Sequence, residues 1–146
     1  MGIWSVEGFA SDEALDWLEG LNPADGLDPV ARELHAVADA PDPHLTSARA
    51  EIALAAAELV AALGGEPHEA LPPAARRWVD AQRPCHADTG LGIDTLVEAT
   101  RALDFVVTSS QLAERWSGRM DERAWRGALD DLRMRLAKAA GVPRVE

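Results

Sequence analysis

The chain has 146 residues and a mass of 15.6 kDa, with 47% hydrophobic and 27% charged residues. These proportions are those of a globular domain, and they exclude a mostly disordered chain and a coiled-coil rod. A single cysteine, Cys85, excludes an internal disulfide. We therefore expect one domain that spans residues 1–146.

The net charge of −11 is distributed unevenly along the chain. Residues 1–70 contain 14 acidic residues against Arg32 and Arg49, a net charge of −12, whereas residues 71–146 have a net charge of +1. The acidic half is either a solvated, solubilising surface or a docking face for a basic protein partner. Nucleic-acid binding is not expected, because phosphate contacts need clustered lysines and arginines.

The sequence favours a bacterial protein of the cytoplasm. No segment reaches the roughly 18 apolar residues that indicate a membrane span, and the N-terminus lacks the basic start of a secretory signal. Lys138 is the one lysine among 14 basic residues. This preference for arginine favours a genome with GC-rich codons, and we expect Cys85 to stay reduced.

Helical signals begin close to the N-terminus. Residues 1–10 contain Trp4 and Phe9, and we expect an ordered entry segment that packs on the helices. A first helix is predicted from Asp12 to about Leu21. A second begins with Asp28 as its N-cap and ends near Asp39.

The third helix is predicted from about Ser47 to Leu63, with Gly64-Gly65 as its stop. Its larger apolar residues recur on one face, at Ile52, Ala56, Leu59 and Leu63. The other faces carry many alanines, so neighbouring helices can approach on almost every side. We expect this Ala-rich helix to be the centre of the domain.

Three further helices are predicted. A short one runs from Pro72-Pro73 through Ala81, where Arg83-Pro84 breaks it and residues 82–92 form a loop. The next runs from about Asp94 to Val107, and a kinked continuation through Trp116 stays open. The last runs from Glu122 to Ala140. No segment alternates as a strand would, so the prediction is an all-α, single compact domain of about six helices.

No catalytic or metal motif is present. The four histidines and Cys85 never occur in pairs at the spacing of zinc ligands, and paired Glu-x-x-His motifs are missing. Cys85-His86 are adjacent in sequence, which is a poor geometry for a nucleophile and its base. We predict no catalytic residue, no cofactor and no metal.

The residues that stand out are aromatic and acidic ones near the N-terminus. Trp4, Phe9 and Trp17 are expected to bury together and fasten the entry segment, with Asp12 and Asp16 at the rim. These five residues are the candidate interaction or pocket residues. Five tryptophans and no tyrosine are unusual for so short a chain, and tryptophan is enriched at binding hot spots.

The same N-terminal residues form a motif, M-G-x-W-x(4)-F-x-x-D-x-A-x-D-W-L-x-x-L, over Met1 to Leu21. In this motif the chain resembles the bacterial domain-of-unknown-function family 4259. The segments Glu51–Leu63, Leu71-Pro72 and Leu112–Trp116 are also similar, so the resemblance covers most of the chain. Ser5-Val6-Glu7 and the proline-rich stretch 39–44 depart from it. The family has no agreed activity, so the resemblance implies a compact helical domain and no catalytic residue.

Three functions remain open at this point. The first is a non-catalytic, acidic protein-binding module, such as an immunity or antitoxin-like protein that masks a basic partner. The second is a small ligand-binding protein or enzyme whose pocket lies beneath the N-terminal Trp/Phe/Asp segment. The third is a structural role within a homo-oligomer, since the Ala-rich helix allows close approach. A fold of this kind does not decide between them.

Overall fold

A computed structural model of the chain describes residues 12–38, 46–68, 71–86, 93–109 and 122–139. These ranges hold six α-helices, one 3₁₀ turn at Pro23–Asp25 and no strand. The helices are α1 (Asp12–Glu19), α2 (Asp28–Ala38), α3 (Ser47–Leu63), α4 (Pro73–His86), α5 (Ile93–Ser109) and α6 (Glu122–Ala139). They form one compact domain, so the all-α prediction is confirmed. The predicted entry segment lies outside the described residues.

The ends of α3 are set by local sequence. At its start, the Thr46 hydroxyl accepts a hydrogen bond from the Arg49 N–H at 3.3 Å, as an N-cap side chain does. At its end, the chain turns through Gly65, whose φ of +92° suits glycine. The Gly65 N–H donates to the Ala62 carbonyl and the Glu66 N–H to the Ala61 carbonyl, the paired bonds of a Schellman motif.

The helix α3 is the centre of the fold, as predicted. It packs against each of the five other helices. Every residue from Ala53 to Ala62 is buried, whereas Ile52 and Leu63, which flank this run, are half-buried. This enclosure agrees with the prediction that neighbouring helices approach α3 on almost every side. Its many alanines permit that enclosure, since they keep the neighbouring backbones close.

The prediction for the fourth helix was wrong at its C-terminal end. The helix α4 continues through Arg83-Pro84 to His86, where a break after Ala81 and a loop over 82–92 were expected. A proline removes one backbone hydrogen bond, which bends or ends a helix that nothing else supports. Trp78 and Gln82, four residues apart on one face, are both buried. Their packing on the core accounts for the extra turn.

The remaining helices agree with prediction to within two residues at each end. The helix α5 extends past the β-branched Val106-Val107 pair to Ser109, and Val106 is fully buried, so packing outweighs its weak helix propensity. A continuation through Trp116 lies outside the described residues. The apolar stripe of α6 is buried as predicted, at Trp125, Leu129, Leu132 and Leu136. Across the described helices, none is long and apolar enough to cross a membrane.

Candidate functional site

The five candidate residues have different outcomes in the structure. Asp16 is exposed on α1, and Trp17 is half-buried against the hydrophobic core. Asp12 begins α1, but its side chain is not among those described. Trp4 and Phe9 lie outside the described residues. The expected burial of Trp4, Phe9 and Trp17 as a group therefore stays a prediction.

Four exposed carboxylates follow one another between α1 and α2. Asp16 and Glu19 lie on α1, Asp25 ends the 3₁₀ turn, and Asp28 begins α2. Among the described side chains none of these four has an ion-pair partner. We call these four residues the N-terminal acidic surface. It presents four negative charges to solvent that no described basic side chain pairs with.

The backbone between Glu19 and Asp28 is held by local hydrogen bonds. The Asn22 side chain accepts from the Ala24 N–H at 3.0 Å, and the Asn22 carbonyl accepts from the Asp25 N–H at 3.0 Å. Gly26 then turns the chain with a φ of +64°. The N-terminal acidic surface is therefore carried by an ordered turn between two helices.

The segment that carries these carboxylates, from α1 to the start of α2, also contains apolar side chains. They are partly buried against the core and keep part of their surface exposed, at Leu15, Trp17, Leu21 and Leu27. A half-exposed tryptophan and leucines beside charged residues give the mixture of apolar contact and polar rim that protein interfaces use. The arrangement suits contact with another protein surface.

Four carboxylates that follow α3 in the sequence are arranged differently, because each meets a basic side chain. The pairs are Glu66–Lys138, Glu122–Arg126, Asp104–Arg133 and Asp131–Arg135. Exposed pairs of this kind contribute little to stability, but they neutralise the local field. The uneven charge of the sequence thus persists in the folded molecule.

A shallow groove of about 360 Å³ lies between α2 and α5. It is lined by Asp28, Ala31, Arg32, His35 and Glu98, and His35 Nδ1 lies 3.3 Å from Glu98 Oε1. The lining has acidic and basic groups in equal number and is wide open to solvent. Small-molecule sites instead enclose most of the ligand surface. Within the described part of the chain, no set of three or more potential metal ligands converges.

A charged centre lies buried between α3 and α6. Arg135 Nη2 donates to Glu58 Oε1 at 2.6 Å and Nη1 donates to Glu58 Oε2 at 3.0 Å, which makes the pair bidentate. Arg135 Nε also donates to Asp131 Oδ2 at 2.8 Å, and Nη1 reaches the Glu66 carbonyl at 3.4 Å. The Glu58 side chain is 0% exposed and that of Arg135 is 13% exposed.

The electrostatics of this pair are dominated by burial at the carboxylate. Loss of water raises the pKa of Glu58 above its ordinary value of 4.5, although the hydrogen bonds and positive charge of Arg135 oppose the shift. For Arg135, burial acts to lower the pKa, but the hydrogen bonds and attraction of Glu58 and Asp131 exceed it and raise the pKa. Arg135 therefore stays charged, and Glu58 is the member that titrates.

Sequence reasoning did not find this pair. The available signal was Glu58, the one charge inside the apolar tract from Ile52 to Leu63. A carboxylate in a helix that is enclosed on all sides requires a partner. The identity of that partner was not readable from sequence, because α6 carries several basic residues at similar spacings.

Together these observations define a small acidic all-α domain with four exposed carboxylates that have no ion-pair partner among the described residues. The chain belongs to the family described as a domain of unknown function, DUF4259, which matches residues 2–128. The match includes the N-terminal acidic surface and Glu58, and it ends within α6 before Arg135. No curated protein and no solved structure matches the chain significantly.

Proposed function

We propose that this chain is a non-catalytic protein-binding module that masks a basic protein partner, in the manner of an immunity protein or an antitoxin. The observation that carries the proposal is the N-terminal acidic surface, Asp16, Glu19, Asp25 and Asp28. These carboxylates are exposed and have no ion-pair partner among the described residues. The proposal includes a bacterial cytoplasmic location, in agreement with the arginine-rich, lysine-poor composition.

The physical basis is long-range attraction followed by close contact. A single-sign field raises the rate at which an oppositely charged protein arrives, and it disfavours acidic competitors. The half-exposed Trp17, Leu21 and Leu27 then supply apolar area that charges alone do not provide. This combination supports protein binding. The groove between α2 and α5 is too open to enclose a ligand. The pocket of the alternative function, beneath the N-terminal Trp/Phe/Asp segment, lies outside the described residues.

The experiment measures binding to the purified product of the neighbouring gene by calorimetry and stopped-flow kinetics. Two variants each remove two charges from the surface: Asp16→Asn with Glu19→Gln, and Asp25→Asn with Asp28→Asn. We expect each to weaken binding about tenfold, mainly through a lower association rate. Raising the salt concentration should reduce the difference from wild type. The Asp28→Asn substitution keeps a side chain that can cap α2, so the fold is retained.

The matched control removes two charges from elsewhere on the molecule. Asp80 on α4 and Asp130 on α6 are exposed and have no ion-pair partner within the described ranges, and their replacement by asparagine changes the net charge by the same amount. This control should retain binding to within about twofold. Equal weakening of all three variants would show that net charge acts without a defined surface, and no binding by wild type would refute the proposal.

A further inference from the structure

The contact between α3 and α6 has few apolar features that distinguish one register from the next. The apolar stripe of α6 presents Trp125 and then leucines at 129, 132 and 136, spaced by one helical turn. The residues of α3 one turn either side of Glu58 are Leu54, Ala55, Ala61 and Ala62. A slide of α6 by one turn exchanges leucine for leucine along the C-terminal part of this stripe, against a surface made mainly of small side chains, and only Trp125 meets a different position in kind.

Two contacts at this interface do distinguish one register from the next. The first is the bidentate pair of Glu58 and Arg135, residues 77 positions apart in the chain. The second is the close approach of Gly64 to Ala139, since a Cβ added to Gly64 would lie 2.5 Å from the Ala139 Cβ. A one-turn slide would separate Glu58 from Arg135 and leave a buried charge without its partner.

We propose that the Glu58–Arg135 pair, with the Gly64–Ala139 contact beside it, fixes the register in which α6 docks on the Ala-rich α3. In this account the pair selects one arrangement of two helices whose leucine and alanine surfaces distinguish neighbouring registers only weakly. A buried polar residue that sets register at a net cost in stability is known from helical assemblies.

The energetics of the pair agree with a role in specificity. Glu58 is fully buried, and the direction of its pKa shift shows that loss of water outweighs the attraction of Arg135. Replacing such a pair with apolar residues of similar volume is commonly neutral or stabilising. The pair would therefore add little net stability, whereas a wrong register would be strongly disfavoured by the unpaired Glu58.

The test replaces both members with apolar residues, Glu58→Leu and Arg135→Met, and measures the position of α6. Spin labels are attached at Met134 on α6 with either Val97 on α5 or Arg77 on α4, all three exposed, in a Cys85→Ala background. Pulsed electron paramagnetic resonance then gives the two distance distributions. Circular dichroism and urea unfolding report whether the double variant folds cooperatively.

We expect a single narrow distance for each label pair in the labelled parent protein. The double variant should fold with at least the parent's stability and show a broadened or second distance, displaced by up to one turn, about 5.4 Å. A control, Asp104→Asn with Arg133→Gln, removes an exposed pair between α5 and α6 and should keep the narrow distances. Narrow, unshifted distances in the double variant would overturn the proposal. Failure of that variant to fold would overturn it too, because the pair would then be required for stability.

Discussion

Arg135 is the residue whose loss should affect stability most sharply. Arg135→Met leaves the Glu58 carboxylate fully buried without its bidentate partner, which should lower the free energy of unfolding by about 3–5 kcal/mol. Arg133→Met on the same helix breaks only the exposed pair with Asp104, and should cost less than about 1 kcal/mol. Urea unfolding at pH 7 measures both variants. Equal costs would show that the burial of Glu58 has no energetic consequence.

The titration of Glu58 should make the folded protein less stable as the pH rises. Its pKa is raised in the folded protein above the ordinary 4.5 of the unfolded chain. The folded state therefore binds the proton more tightly than the unfolded chain does. The resulting stabilisation is complete below pH 4.5 and is lost as the pH rises through the raised pKa. Relative to Glu58→Gln, the wild type should lose free energy of unfolding from pH 4.5 upward.

Urea unfolding of the wild type and Glu58→Gln between pH 4 and pH 8 measures this difference. Arg135→Met provides an internal check, because removing the positive charge raises the pKa of Glu58 further. That variant should be more strongly destabilised at pH 8 than at pH 5. A wild type that gains stability over Glu58→Gln as the pH increases would contradict the account.

The end of α3 offers a prediction about packing between helices. Gly64 has an ordinary φ of −76°, so alanine there meets no backbone strain, but its Cβ would lie 2.5 Å from that of Ala139. Gly64→Ala should therefore cost about 1–3 kcal/mol of stability through overpacking. Adding Ala139→Gly removes the opposing Cβ and should recover most of the loss.

Gly127 supplies the control for this prediction. It lies in α6 with no atom within 4 Å of an added Cβ, so Gly127→Ala should stabilise the protein by about 0.5–1 kcal/mol. Thermal unfolding of Gly64→Ala, Ala139→Gly, Gly127→Ala and the Gly64→Ala/Ala139→Gly double variant measures these changes in stability. If Ala139→Gly does not rescue Gly64→Ala, the cost arises elsewhere than in the contact between α3 and α6.

The helices that could be predicted are those whose ends are determined by local chemistry. Thr46 and Gly64-Gly65 delimit α3 in the sequence and also in the structure. The end of α4 could not be predicted, because local sequence favours a break at Arg83-Pro84. The burial of Trp78 and Gln82, which supports the extra turn, depends on helices distant in sequence.

The buried pair of Glu58 and Arg135 could not be predicted for the same reason, since it depends on contacts between helices that are distant in sequence. Glu58 was visible as a lone charge in an apolar tract, but its position opposite Arg135 depends on how α6 crosses α3. Among the candidate residues of the site, Asp16 is exposed, and its place at the rim of a cluster of Trp4, Phe9 and Trp17 stays a prediction. Trp17 lies against the core but is only half-buried, since α1 is an outer helix with one side open to solvent.

At the scale of the whole molecule, the fold separates two kinds of charge. Three described carboxylates of the last two helices, Asp104, Glu122 and Asp131, pair with arginine, whereas the N-terminal acidic surface has no ion-pair partner among the described residues. Pairing reduces the local negative charge around those three carboxylates. The acidic surface is therefore the region where a basic protein gains most from contact.

Hydrogen exchange measured by mass spectrometry, with and without the neighbouring gene's product, tests the proposed docking surface most directly. We predict that complex formation slows exchange in the segment 12–38, which carries the N-terminal acidic surface, and leaves α6 unchanged. The variant Asp16→Asn with Glu19→Gln should show weaker protection at the same concentrations. Protection confined to α6, or to the groove between α2 and α5 without α1 and the 3₁₀ turn, would contradict the account.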